Sequence, residues 1–160
     1  MKKQIICHDV NNKKYEVATK KLTFRPSVYG IAIKNNKILL SKQWDGYDFP
    51  GGGLNLEETI EEALKREFWE ETGYKIKVGE VIHTQTSFFH SAHSSIKEYW
   101  NCVLIYYTCK IISGKISTEN FDEDEKKYLS AAEWVDIKNI KKLKFYNSVN
   151  SSEVIKKALK

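Results

Sequence analysis

The sequence predicts an α/β fold, a sandwich in which helices cover both sides of a mixed β-sheet. Three observations carry that reading. Strand-like segments rich in β-branched and aromatic residues lie on both sides of one strongly helical segment. A second amphipathic segment closes the chain and can cover the other face of the sheet. No repeat or linker interrupts the 160 residues, so residues 1–160 read as one domain, with 1–24 as an N-terminal strand extension and 25–160 as the core.

The elements follow in order. Residues 5–8 and 15–19 read as two short strands around a polar turn holding Asn11 and Asn12. Residues 28–34 and 37–42 form a hairpin through Asn35-Asn36, because asparagine tolerates the positive φ that a two-residue turn demands. An aromatic stretch (Trp44, Tyr47, Phe49) leads through Pro50 into three consecutive glycines. The pattern then turns helical over residues 57–72, and Gly73 stands where a left-handed residue closes a helix. Residues 75–89 and 98–110 are long strands, 131–135 a further strand after an acidic loop, and 151–159 a closing helix.

Composition narrows the function classes. Hydrophobic residues at 41% and charged residues at 29% exclude a disordered or fibrous chain. The longest apolar runs are a handful of residues, whereas a spanning helix needs about 20, so no membrane span is expected. The basic start is followed by too short an apolar run for a secretory signal. Cys7, Cys102 and Cys109 make no paired motif, which points to free thiols in a reducing cytoplasm. Cys102 and Cys109, seven apart on one expected strand, should face opposite sides of the sheet. The net charge is +5, yet of 26 basic residues only Arg25 and Arg66 are arginine. Scattered lysines describe a solvated surface, so the expected partner is a small molecule rather than a nucleic acid.

The helix carries the chemistry. Wound at about 100° per residue, Ile60, Ala63, Leu64 and Phe68 share one stripe, and Glu67, Glu70 and Glu71 fall inside or beside it. Glu61, Glu62, Lys65 and Arg66 occupy the opposite, solvated arc. Carboxylates crowded on the core-facing side repel unless a cation pairs them. Oxygen ligands suit hard ions such as Mg²⁺ or Mn²⁺, and the C-terminal end of a helix favours a cation. The three glycines just upstream let backbone approach a phosphate, or offer a carbonyl to a metal.

Gly52, Glu58, Arg66-Glu67-Phe68, Glu70-Glu71 and Gly73-Tyr74 together resemble the Nudix box. Seven fixed identities arise by chance on the order of 10⁻⁸ per register. Two departures are visible: Phe68 and Tyr74 fill aliphatic positions, and Glu57 stands where members often have glycine. The resemblance implies a Nudix-type sandwich and hydrolysis of a nucleoside diphosphate linked to another moiety, with water attacking phosphorus. It implies Glu67, Glu70 and Glu71 as metal ligands, the Gly51 carbonyl as a further ligand, and Arg66 as a brace for the glutamates; the wheel, which points Arg66 away from them, suggests a bridge to Glu58 or to the loop. Glu67, Glu70 and Arg66 are therefore the catalytic candidates, with one glutamate, of the box or of a later loop, as base.

In the acidic loop Glu123 and Glu125 are candidates for an extra ligand, and Glu123 is placed in the metal set. Arg25, Trp44, Tyr47, Gly52 and Phe88 are the substrate-binding candidates. His90 and His93 form a weak metal-like pair or line the pocket. Two alternatives remain: a pyrophosphohydrolase of RNA 5′ ends, and a nucleotide sensor without turnover. Residues 1–24 also offer an edge through which a homodimer can pair.

Overall fold

The computed structural model describes residues 3–92 and 97–160. Strand β1 (Gln4–His8) pairs antiparallel with β2 (Lys14–Ala18). Strand β3 (Leu22–Lys34) turns through Asn35 (φ 51°) and Asn36 (φ 57°) into β4 (Lys37–Gln43), the predicted tight hairpin. Two short strands follow, β5 (Gly46–Asp48) and β6 (Gly51–Gly53), and then helix α1 (Ile60–Thr72). The long strands β7 (Tyr74–His90) and β8 (Tyr99–Gly114) come next, then β9 (Leu129–Asp136) and helix α2 (Ser151–Ala158). The sheet order is β2-β1-β7-β8-β3-β4-β5, with β6 added to β3 and β9 to β4. Pairing of β3 with β8 and of β1 with β7 is parallel, so the sheet is mixed as predicted.

Strand β3 organises the sheet, and it begins six residues before the expected Val28. Pro26 does not break it, because β6 pairs only from Ser27 onward and Pro26 is needed there just as an acceptor, from the Leu54 amide at 3.1 Å. The glycines expected to form a loop form β6 instead, laid against Val28 and Tyr29.

Alternation divides the core in two. Ile31, Leu104 and Tyr106 join Val154 and Ile155 of α2 on one face, while Val28, Ala32 and Leu39 join Ala63, Leu64 and Phe68 of α1 on the other. Cys102 packs in the first cluster and Cys109 against the second, on opposite faces of β8. Among the described residues no helix is long and apolar enough to cross a membrane.

Helix α1 starts at Ile60, not near residue 57, because Thr59 caps it. The Thr59 hydroxyl accepts from the Glu62 amide, and the Glu62 carboxylate accepts from the Thr59 amide. At the other end Gly73 adopts φ 77° and its amide donates to Trp69. We expect Thr59→Ala to lower stability by about 1 kcal/mol. A urea denaturation midpoint equal to that of the wild type would contradict this.

Candidate active site

The last two turns of α1 bring Glu67 and Glu71 to the edge of β6. Glu71 is only 9% exposed. Its Oε2 accepts from the Ser41 hydroxyl at 2.5 Å and from the Gly51 amide at 3.2 Å. Glu67 lies directly over Gly52, where a Cβ would stand 2.5 Å from its carboxylate. Any side chain at Gly52 therefore displaces Glu67. Glycine is needed there for the close approach rather than for a turn.

A third carboxylate arrives from the loop after β8. Glu67, Glu71 and Glu125 each place one oxygen within 4.8 Å of the other two. Burial pushes Glu125 up to about 7, with like charge from Asp122, Glu67 and Glu70 adding to it. Burial also raises Glu67, offset by Arg66, and raises Glu71 well above the carboxylate range, with Glu67 adding repulsion. All three shifts come first from burial of the carboxylates, with repulsion from neighbouring acids adding to it. A hard divalent cation with oxygen ligands fits this donor set.

Arg66 starts on the solvated arc of α1, as the wheel predicts, but its length carries the guanidinium round the helix. It reaches the Glu58 carboxylate (Nη2 to Oε2, 2.8 Å) and the Gly53 carbonyl (3.1 Å), the two bridges expected of it. Its Nη1 also meets Glu67 at 2.9 Å and Glu70 at 3.0 Å. The wheel alone does not show this second pair of contacts. Arg66 holds the Glu58 carboxyl down to about 2.

The carboxylates open onto a cavity of about 490 Å³ between the sheet and the loops. That volume is in the range of sites that hold small molecules. Its lining includes His8, Asp9, Val10, Tyr146 and Asn147. Arg25 lines it as well, donating to Ser27 Oγ at 2.8 Å and stacking 4.3 Å above the Trp100 ring. Asp48 lines it too, accepting from the Phe49 amide at 2.7 Å and Asn147 Nδ2 at 2.9 Å. Burial pushes Asp48 up to about 6.

The candidate residues therefore divide. Glu67, Glu71, Gly51, Gly52, Arg25 and Trp44 line the cavity. Glu70 and Arg66 line an adjoining recess with Arg25 and Glu67. Three candidates lie elsewhere. The Tyr47 hydroxyl donates to Glu133 at 2.7 Å, and its ring packs on the core. Phe88 is replaced by its neighbour Phe89, because Phe89 pairs with the cavity-lining Trp100 whereas Phe88 pairs with Asn101, and successive residues of a strand face opposite sides. The Glu123 side chain is 89% exposed and paired with Lys126 at 2.5 Å, so Glu125 takes the position expected of it. His90 is buried, stacked on Tyr99 with ring centroids 4.3 Å apart, and His93 lies outside the described residues. Asp48, Trp100 and Tyr128 had no motif to mark them.

A mixed sheet between two helices, with inward-facing glutamates at the end of one of them, is the arrangement of the Nudix hydrolase class. Residues 23–157 match the model of the NUDIX domain, and the chain belongs to this family. It is 31% identical over 140 residues to an ADP-ribose pyrophosphatase of Methanocaldococcus jannaschii, covering 83% of this chain and 75% of that protein. It is also 39% identical over 64 residues to an RNA pyrophosphohydrolase of Histophilus somni, 38% of this chain and 33% of that one. In fold it is similar to the crystal structure of an ADP-ribose pyrophosphatase from Streptococcus suis, with TM-score 0.62 and 16% identity over 86% of this chain and 90% of that one.

Two predictions follow from the charges. The depressed Glu58 carboxyl contributes stability above its ordinary value near 4.5, lost as pH falls toward about 2. Glu58→Gln should therefore melt lower at neutral pH, with the gap to wild type closing through that acid window. Glu71 is raised, so its ionised form opposes folding at neutral pH. In metal-free protein Glu71→Gln should melt higher than wild type, yet gain less from added Mn²⁺. A lower metal-free melting temperature would contradict this.

Proposed function

We propose that this chain is a Mg²⁺- or Mn²⁺-dependent pyrophosphohydrolase that cleaves the diphosphate linkage of a small nucleotide. The observation that carries the reading is the convergence of Glu67, Glu71 and Glu125 in a cavity that Arg25 also lines. The substrate class is a nucleoside diphosphate linked to a second group. The ADP-ribose pyrophosphatase relative, matched over most of both chains, makes ADP-ribose the first compound to test.

In this reading Glu67, Glu70, Glu71 and Glu125, with the Gly51 backbone beside them, hold the cation. A bound divalent ion supplies charge neutralisation for the phosphates and lowers the pKa of water. Arg25 binds a phosphate oxygen, its guanidinium held flat by Trp100 and Ser27. Arg66 fixes Glu67 and Glu70 against the Gly53 carbonyl, so the carboxylates need no reorganisation when substrate arrives. Water adds to one phosphorus, the bridging P–O bond breaks, and the leaving phosphate takes the electron pair. For ADP-ribose the products are AMP and ribose 5-phosphate.

A panel of nucleotides incubated with Mg²⁺, with products identified by mass, tests the reading. Hydrolysis of a linked diphosphate supports it. Activity confined to 5′-triphosphorylated RNA would favour the RNA reading, and binding without products would favour a sensor. The retained box glutamates and the sparse arginines weigh against both alternatives.

Glu70→Gln and Glu71→Gln should each lower kcat about a hundredfold or more with the fold kept. Near-normal turnover in both would refute the assignment. Arg25→Ala should mainly raise KM, because its contact is to the phosphate in ground and transition states alike.

A further inference from the structure

Trp44 is the bulkiest residue at positive φ among the described residues, at 47°. Asn12, Asn35 and Asn36, the other non-glycine positions of that kind, are of a type that tolerates this backbone region. A large aromatic is an outlier there, and glycine would fit without strain. What the Trp44 side chain does must therefore offset the local cost.

Its contacts lead to the acidic loop. The Trp44 amide donates to the Tyr128 carbonyl at 3.0 Å. Its ring stacks on Tyr128 with centroids 5.0 Å apart and planes 25° off parallel. On its other side Tyr146 meets it edge-on at 4.8 Å. Tyr146 is fixed in turn by a hydrogen bond to Asp45, which Lys144 also holds at 2.9 Å. Tyr128 closes the single helical turn that begins at Glu125, its amide donating to the Glu125 carbonyl at 3.0 Å.

Within the loop, the ion pairs Glu123–Lys126 and Asp124–Lys127 are exposed, and such pairs contribute little. Phe121 and Leu129 anchor its two ends in the core. The Glu125 carboxylate accepts from the Asp122 amide at 2.8 Å within the loop, and among the described residues the Trp44 stack ties that turn to the body of the protein.

We infer that Trp44 is a positioning residue. By clamping Tyr128 it holds Glu125 at the point shared with Glu67 and Glu71. It acts on cation binding through Glu125 rather than by touching substrate. The inference rests on the reading of Glu125 as part of the metal centre, which Glu125→Gln tests by itself.

The test measures Mn²⁺ affinity without nucleotide, from the electron paramagnetic resonance of free Mn²⁺. Alongside it, kcat and KM are measured for the nucleotide that the panel identifies, with Mg²⁺. The proteins are wild type, Trp44→Gly, Trp44→Tyr, Glu125→Gln and the Trp44→Gly/Glu125→Gln double variant. Loss of a group that orients a ligand weakens metal binding by about tenfold or more. Trp44→Gly should therefore bind Mn²⁺ about tenfold more weakly and lose kcat with KM little changed. Trp44→Tyr, which keeps a stacking ring, should recover most of both. The double variant should be no weaker than Glu125→Gln alone, because coupled residues are not additive.

Independent, multiplying losses in the double variant would overturn the inference. So would a raised KM with unchanged Mn²⁺ affinity in Trp44→Gly, which would mark Trp44 as a substrate contact. A Glu125→Gln protein equal to wild type in both measurements would sink the reading of Glu125 and this inference with it. If Trp44→Gly melts far below wild type, Tyr128→Leu removes the stack from the other side and is held to the same outcomes.

Discussion

Glu71 sits almost out of solvent beside Glu67, and Glu125 leans onto the same point. Carboxylates brought together in this way repel, and burial weakens the water that would screen them. Several features of the fold offset that repulsion. The Ser41 hydroxyl and the Gly51 amide donate to Glu71, and Arg66 lies against Glu67 and Glu70. These donors do not remove the charge, since Glu71 and Glu125 stay well above the ordinary carboxylate range. The arrangement is therefore stable enough to fold and still short of positive charge, which is what a cation site requires.

The sheet explains how side chains from one layer serve a cavity on the other. Helix α1 packs against Val28, Ala32 and Leu39, whereas Arg25, Tyr29 and Tyr106 line the cavity on the α2 side. A strand with ordinary side chains between the two would block the passage. Strand β6 is three glycines, so Glu67 crosses above Gly52 and the Arg25 guanidinium rests against Gly53. The same bareness places Gly51 against Val28, where a Cβ would lie 2.1 Å from the carbonyl oxygen. Each of these glycines answers to a different neighbour, and together they make the opening.

Local signals account for the parts of the structure that were legible in the sequence. The spacing of Glu67, Glu70 and Glu71 fixes one helix face, Gly73 ends the helix, and Asn35-Asn36 turns the hairpin; each depends on residues within a few positions. The illegible parts depend on partners far along the chain. The start of α1 is the exception, since the capping pair of Thr59 with Glu62 is local and the helical spacing over residues 57–72 does not mark it. Phe89 faces the cavity rather than Phe88 because β8 sets Trp100 opposite Phe89 and Asn101 opposite Phe88. Glu125 turns inward and Glu123 outward in a turn whose last residue, Tyr128, stacks on Trp44, eighty-odd positions away. No periodicity within the four-residue acidic run Asp122-Glu123-Asp124-Glu125 encodes that choice.

The basic residues offered one further signal. A chain that uses lysine for all but two of its 26 basic positions keeps arginine at 25 and 66 alone, and both stand at the candidate site. The chemistry of the two side chains explains the exception. Arg66 engages Glu58, Glu67, Glu70 and the Gly53 carbonyl at once, a pattern that needs several donors in a fixed plane. Arg25 lies flat on Trp100 while bonding Ser27, which a compact ammonium group cannot reproduce. Lysine meets the demand of the solvated surface, which asks only for charge. Where a planar fork must hold several acceptors in place, the chain departs from its own composition.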